Sequence, residues 1–272
     1  MTAAKAEAES VTNATPVENK SLEIKPAAVP VQSSDAPETQ VKSKKHKPSR
    51  STATSDTAPA PQSGDDWMAK HEAILKLTQE RRGYDVLFLG DSITANMNLK
   101  LMRELISPRA MNFGISGDRT YNLLWRIQNG ELKFKRNIPE IVVLLIGTND
   151  MYEWGGLRAQ TNPETYRGIK ADVEAIRTAL PMTKVLLVGV LPREQSPKDK
   201  IRERIKSLNK ELERLADNKH IYFADIGTDM VEKDGSISPE VMPDFLHPSA
   251  DVGYDRMFKA LKTHLDAIPS DG

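Results

Sequence analysis

The chain has no cysteine and few aromatic residues, and these absences exclude several kinds of protein. Its 272 residues include 3 Trp, 6 Tyr and 6 Phe, and none of them precedes Trp67. Without cysteine there is no disulfide framework, no thiol nucleophile and no cysteine-ligated metal. No apolar run approaches the roughly 18 residues of a transmembrane helix, and the first residues lack the apolar stretch of a signal peptide. The sequence therefore predicts a protein without an integral membrane segment, located in the cytoplasm; a misplaced start site would instead allow secretion or a periplasmic location.

An excess of charge of one sign is also missing. Lysine and arginine together number 38, as do aspartate and glutamate, so the formal net charge is zero. The one local basic cluster, between Lys42 and Arg50, is interpreted as a solvated segment rather than a binding surface. Nucleic acid is therefore not expected as a partner.

The first 64 residues differ in composition from the rest. They contain no aromatic residue and a single glycine, but seven of the 17 prolines. Such a segment cannot bury enough apolar surface to offset the entropy that ordering it would cost. The sequence therefore predicts a disordered tail rich in Pro, Ala, Ser and Lys over residues 1–64, followed by one domain over residues 65–272.

Within the predicted domain, short apolar runs alternate with stretches of helical periodicity. Alternation of this kind predicts a parallel sheet covered by helices on both faces, an α/β fold of three layers, α/β/α, with five strands. The strands are predicted at Val86–Leu89, Ala110–Phe113, Ile141–Ile146, Val185–Leu191 and Ile221–Ala224. The helices are predicted at 67–82, 99–106, 120–128, 163–180, 201–216 and 254–265. Functional loops are then expected at the carboxyl ends of the strands.

Three candidate site residues follow three of these strands. Ser92 lies at a turn from strand into helix, where its hydroxyl suits a nucleophile, although an N-cap serine is the alternative. Asn149 lies beyond the third strand, where its amide is placed to donate to an oxyanion, with a turn asparagine as the alternative. Gly117 follows the second strand, and its backbone N–H can approach a ligand closely.

A fourth element, Asp244 to His247, lies near the end of the chain. The three-residue separation lets the carboxylate hold the imidazole nitrogen that faces away from a nucleophile, as in a Ser-His-Asp triad. A metal site is a weaker interpretation, because no third histidine or cysteine ligand has recognisable spacing. Together the four elements predict a catalytic triad of Ser92, Asp244 and His247. The oxyanion hole is predicted to use the backbone N–H groups of Ser92 and Gly117 and the Asn149 amide.

These residues resemble the signature positions of the SGNH, or GDSL-type, hydrolase superfamily. Within it the chain is most similar to the catalytic alpha subunits of the type Ib platelet-activating factor acetylhydrolases, although Asp150 stands where that group usually has Asn. The similarity is carried by Met111–Asp118, Leu124–Arg126, Asn129–Leu132, Leu191–Arg193 and Asp244–His247. It implies the flavodoxin-like SGNH hydrolase fold, a serine esterase and a homodimer.

The predicted reaction is hydrolysis of short-chain, acetyl esters through an acyl-enzyme, with no cofactor and no metal. Ile93, Thr148 and Leu246 adjoin the site residues and are candidates for a narrow acyl pocket, with plain core packing as the alternative. The small acetyl-ester substrate is expected to be a lipid like that of the resembled enzymes. The alternatives are an O-acetyl carbohydrate and, from another class, a non-catalytic interaction module.

Overall fold

A computed structural model describes residues 58–80, 83–136, 138–153 and 156–270. The predicted tail lies outside these residues as far as position 57. Residues 58–64, which the sequence assigned to the tail, contact the domain. The Ala60 carbonyl accepts a hydrogen bond from the Asn122 amide at 2.9 Å, and the Gln62 amide donates to Asp118 at 2.8 Å.

Five strands form one parallel sheet, in the order β2-β1-β3-β4-β5. This order and the helices on both faces confirm the predicted α/β/α fold. The strands are β1 (Val86–Gly90), β2 (Met111–Gly114), β3 (Ile141–Leu145), β4 (Lys184–Val188) and β5 (Ile221–Ala224).

Seven α-helices accompany the sheet in the described part of the chain. They are α1 (Asp65–Thr78), α2 (Ser92–Ala95), α3 (Leu99–Leu105), α4 (Thr120–Arg126), α5 (Asn162–Ala179), α6 (Lys200–Leu212) and α7 (Val252–Asp266). One turn of π-helix, Ile127–Glu131, extends α4, and short 3₁₀ segments occur at Glu213–Leu215 and Gly227–Met230. No helix among the described residues is long and apolar enough to cross a membrane.

The side chains of the strands alternate between two hydrophobic cores. Leu87 and Leu89 of β1 pack in a core with α1, α4, α5 and α6, whereas Val86 and Phe88 pack in the other with α2, α3 and α7. Because successive side chains of a strand point to opposite faces, a strand buried on both faces must be apolar at every position. This explains the continuous apolar runs of the sequence.

The fourth strand ends earlier than its apolar run predicts. β4 stops at Val188, although Val190 and Leu191 are equally buried. The side chain of Asn209 on α6 accepts from the Val190 N–H at 2.9 Å and donates to the Val190 carbonyl at 3.1 Å. The backbone of Val190 is therefore paired by a side chain instead of by the sheet ladder, and the chain leaves the sheet towards its carboxyl edge.

Candidate active site

A cleft of about 360 Å³ opens at the carboxyl edge of the sheet. Its walls come from five separate loops, and it contains most of the residues that the sequence singled out. It is lined by Ser92, Ser116, Gly117, Asn149, Tyr152, Arg193, Leu246 and His247.

Ser92 is held at the first turn after β1. Gly90 permits the close approach that this turn needs, because a Cβ there would lie 2.1 Å from the Leu145 carbonyl oxygen. The Asp91 side chain then caps α2 by accepting from the Ile93 N–H at 2.9 Å. Asp91, rather than Ser92, is thus the N-cap residue, and the Ser92 hydroxyl is left to face the cleft.

Ser92, His247 and Asp244 form a hydrogen-bonded line. Ser92 Oγ lies 2.9 Å from His247 Nε2, and His247 Nδ1 lies 2.6 Å from Asp244 Oδ2. The other carboxylate oxygen, Oδ1, accepts from the backbone N–H groups of Leu246 at 3.1 Å and His247 at 2.7 Å. The loop is thereby folded around its own carboxylate, which fixes the ring of His247 towards Ser92.

Asp244 is held in its ionised form. Partial burial acts to raise the pKa of its carboxyl, but the hydrogen bonds from the His247 side chain and from two backbone N–H groups outweigh it, so the pKa lies below its ordinary value. The carboxylate is therefore negative at neutral pH, as a partner for an imidazolium must be.

Gly117 and Asn149 line the same cleft as Ser92. Gly117 has φ +81°, a backbone conformation that a side chain would strain. The Asn149 amide donates one hydrogen to the Asp118 carbonyl at 2.9 Å, which fixes the amide plane and leaves its second hydrogen for the cleft. The three residues predicted to form the oxyanion hole therefore line one cleft.

A buried polar network supports the loop that carries Gly117. Asp118 accepts from Trp67 Nε1 at 2.7 Å and lies 2.9 Å from Arg126 Nε. Arg126 also contacts Glu131 at 3.0 Å, and Glu131 lies 2.8 Å from His71 Nδ1. Burial raises the pKa of Asp118 to about 6, in opposition to the Arg126 charge. The network thus connects α1, through Trp67, and α4, through Arg126, to Asp118 in the loop that carries Gly117.

Two further carboxyl groups lie under the same loops. Asp150 accepts from the backbone N–H and the hydroxyl of Thr120, at 3.1 and 2.8 Å, and burial raises its pKa to about 6. Asp172 on α5 is fully buried, and neither of its carboxylate oxygens has a hydrogen-bond partner among the residues that the structure describes. Asp150 therefore joins the loop after β3 to α4.

The three acyl-pocket candidates do not occupy equivalent places. Leu246 lines the cleft, but Ile93 is buried in the core beside α7, with its carbonyl accepting from the Tyr254 hydroxyl at 2.7 Å. Thr148 is also buried, and its hydroxyl lies 3.4 Å from Arg193 Nη1. Only Leu246 is thus directly exposed to a ligand in this conformation.

Sequence reasoning assigned no role to Arg193 and Tyr152, which line the cleft as well. The Arg193 guanidinium carbon lies 4.5 Å from the centre of the Tyr152 ring. The signal for Arg193 was present, because a charged residue follows a buried strand at the sheet's carboxyl edge. Tyr152 lies in a long connection without periodicity, where no sequence signal could place it.

Among the described residues there is no cluster of three or more His, Asp or Glu side chains able to hold a metal ion. The one acid–histidine pair of the cleft has both its histidine nitrogens engaged, one by Asp244 and one by Ser92. This arrangement has the geometry that a nucleophile and its base require.

The fold and the site define a serine hydrolase, and the chain belongs to the GDSL-like Lipase/Acylhydrolase family, whose sequence profile matches residues 88–256. It is therefore a serine ester hydrolase, as the motifs predicted.

Its relatives include the human platelet-activating factor acetylhydrolase IB subunit alpha1. The two are 37% identical over 203 residues, which cover 73% of this chain and 82% of the relative. The alpha2 subunit from Rattus norvegicus is also 37% identical over 203 residues, covering 73% and 83%. The predicted similarity to this group is confirmed.

Solved structures share the fold. A GDSL-like lipase from Bacteroides thetaiotaomicron matches with a TM-score of 0.55 at 25% identity, covering 74% of this chain and 96% of its own. An acetylxylan esterase from Geobacillus stearothermophilus matches with a TM-score of 0.54 at 20% identity, covering 68% and 96%. The second likeness is one of fold alone.

Proposed function

We propose that the protein hydrolyses short-chain esters through an acyl-enzyme formed on Ser92. The observation that carries the proposal is the contact between Ser92 Oγ and His247 Nε2, at 2.9 Å across 155 residues of sequence. His247 accepts the hydroxyl proton as Ser92 attacks the ester carbonyl, and then delivers it to the leaving alcohol. Water then attacks the carbonyl of the acyl-enzyme. His247 accepts a proton from the water and returns it to Ser92 Oγ as the bond between the acyl group and Ser92 breaks, which releases the carboxylic acid.

Asp244 orients His247 and stabilises its charged form. Its contact with Nδ1, at 2.6 Å, requires the proton on that nitrogen, which leaves Nε2 as the acceptor for the Ser92 proton. The lowered pKa of Asp244 keeps the negative charge in place while the imidazolium exists. Asp244 therefore stabilises the imidazolium without itself accepting a proton from His247.

The oxyanion of the tetrahedral intermediate is held by three donors. They are the backbone N–H groups of Ser92 and Gly117 and the free amide hydrogen of Asn149. Because Asn149 is already fixed by its bond to the Asp118 carbonyl, it loses little orientational freedom when the oxyanion forms.

The acyl group is proposed to be acetyl. The proposal is supported by relatives named as acetylhydrolases and by Leu246 beside the histidine in the cleft. We expect p-nitrophenyl acetate to be hydrolysed far faster than p-nitrophenyl octanoate, because a longer chain has to displace Leu246 or the packed side chains behind it. The kcat/KM values of a chain-length series measure this, and equal values for the two esters would contradict a narrow pocket.

The alcohol is proposed to be that of an acetylated phospholipid. The 37% identical relatives are named for platelet-activating factor, whereas the acetylxylan esterase shares only the fold. An O-acetyl carbohydrate stays the competing substrate class. Parallel assays with an sn-2 acetyl glycerophospholipid and with acetylated xylan, on wild type and Ser92→Ala, separate the two. Hydrolysis of xylan alone would overturn the lipid assignment.

A homodimer is proposed from the same relatives, which are named as subunits. Size-exclusion chromatography of the full chain with light scattering should give twice the chain mass at micromolar concentration. A monomer under those conditions would contradict it.

A further inference from the structure

Arg193 lies at the cleft, and part of its guanidinium makes no hydrogen bond to the described residues. It follows β4 on the segment that Asn209 directs away from the sheet, and it is only 7% exposed. It nevertheless lines the same cleft as Ser92 and His247. A cation this well buried is stabilised only if its charge and its donors are matched.

The contacts of Arg193 neither balance its charge with a buried carboxylate nor use all of its hydrogen-bond donors. Nη1 makes two long contacts to Thr148, 3.5 Å to the carbonyl and 3.4 Å to the hydroxyl. Within the described part of the chain Nε donates no hydrogen bond, and Nη2 has none either. The nearest carboxylate, that of Glu194, lies 3.7 Å from Nε and is 43% exposed, so solvent weakens its effect.

The remaining support comes from Tyr152, whose ring faces the guanidinium at 4.5 Å. A cation–π contact attracts the charge but accepts no hydrogen bond in the guanidinium plane. Arg126, beneath the cleft, shows the contrast, because it lies against two buried carboxylates, Asp118 and Glu131. Arg193 carries the same positive charge as Arg126, but among the described residues no buried carboxylate lies beside it.

We propose that Arg193 binds a negatively charged group on the alcohol half of the ester. This rests on the proposed function, because an acetyl group carries no charge and any anion in the substrate must then belong to the alcohol. A phosphodiester and a carboxylate share the required chemistry, an oxyanion that accepts from Nη2. Tyr152, 49% exposed, continues the cleft outward from the guanidinium.

The test compares matched esters that differ in charge. 3-Acetoxybenzoate carries a carboxylate where 3-acetoxybenzamide carries a neutral amide, and both release acetate and a phenol of similar acidity. Arg193→Gln should lower kcat/KM for the charged ester by about 10–100-fold more than for the neutral one, the range of a hydrogen bond to a charged group. The difference should lie mainly in KM, because the anion is bound away from the reacting atoms.

Two further variants sharpen the result. Arg193→Lys keeps the charge and should restore part of the preference. Arg214→Gln removes the same charge from an exposed position on the far 3₁₀ segment and should leave the ratio unchanged. An acetylated glycerophosphodiester and an acetylated methyl glycoside of a uronic acid, whose carboxylate is free, each beside a neutral analogue, show whether phosphate or carboxylate is preferred.

The outcomes separate the two proposals. If wild type hydrolyses neither ester, the proposed function fails. If wild type hydrolyses both esters and Arg193→Gln lowers both equally, the esterase stands and Arg193 only positions Tyr152 and Thr148, which would overturn the anion site.

Discussion

At the scale of single residues, the cleft depends on side chains whose orientation is fixed before any substrate arrives. Asp244 accepts two backbone N–H groups with one oxygen and faces His247 with the other. Asn149 donates one amide hydrogen to the Asp118 carbonyl. In each side chain, one polar atom or hydrogen is fixed by a hydrogen bond within the protein, and another is available to the reacting groups. Donors and acceptors fixed in advance in this way are the basis of electrostatic preorganisation.

Asn149→Ala should remove one of the three oxyanion donors. We expect kcat to fall by about 10²–10³-fold, the usual effect of one lost donor, with little change in KM. Steady-state kinetics with p-nitrophenyl acetate measure it, and circular dichroism reports whether the variant is folded. Asn98→Ala, which removes the capping asparagine of α3 outside the cleft lining, is the control and should keep full activity. A folded Asn149→Ala variant with undiminished kcat would exclude the amide from the oxyanion hole.

At the scale of elements, the end of β4 links packing to the site. Asn209 on α6 satisfies both backbone groups of Val190, and the chain then continues to Arg193. The sequence predicted a strand through Leu191 because apolar character alone does not show where a ladder is replaced by a side chain. The existence of the five strands was predictable, since the apolar runs alternate with stretches of helical periodicity. Their order in the sheet depends on long-range pairing, which these runs do not encode.

Asn209→Ala should leave the N–H and the carbonyl of Val190 buried without partners. Each such group costs about 1–3 kcal/mol, so the free energy of unfolding should fall by roughly 2–4 kcal/mol. Urea denaturation of the purified chain measures the change. Asn209→Asp keeps the acceptor for the Val190 N–H but places a buried carboxylate against the Val190 carbonyl and the Asp225 carboxylate, so it should be no more stable than Asn209→Ala. Equal stability of all three proteins would show that Asn209 does not hold this segment.

The candidates Ser92, Gly117 and Asn149 could be found from the sequence because they follow successive predicted strands. Asp244 and His247 could be found because of their three-residue spacing. The buried network could not be predicted, because each of its members taken alone is typical of ordinary packing or of a helix surface. The network joins Trp67, Arg126 and Glu131. Arg126 in particular reads as a surface residue of an amphipathic helix, yet it is fully buried against Asp118 and Glu131. Pairings of this kind arise from tertiary contacts, which periodicity does not encode.

At the scale of the whole molecule, buried acids make stability depend on pH. Burial raises the pKa of Asp91 to about 7 and that of Asp172 well above its ordinary value; nearby Asp150 and Asp118 raise that of Asp172 further and Arg126 opposes them. A carboxyl whose pKa is higher in the folded state binds more protons there than in the unfolded chain. These groups therefore lower stability as pH rises from about 4 through their folded pKa values.

Asp172→Asn isolates this effect, because the amide cannot ionise. The variant should be more stable than wild type at pH 8, where ionisation of the buried carboxyl is most costly. The difference should shrink towards pH 5, where the protonated acid resembles the amide. Urea unfolding of both proteins at the two pH values measures it. A difference independent of pH would show that Asp172 does not titrate between those values.

The measurement that tests the central claim most directly is the identification of the residue that a fluorophosphonate modifies. Peptide mapping by mass spectrometry should find the label on Ser92 in the wild type. Labelling should be slower by orders of magnitude in His247→Ala, which lacks the base. Label on another residue, or undiminished esterase activity in Ser92→Ala, would contradict the assignment of Ser92 as the nucleophile.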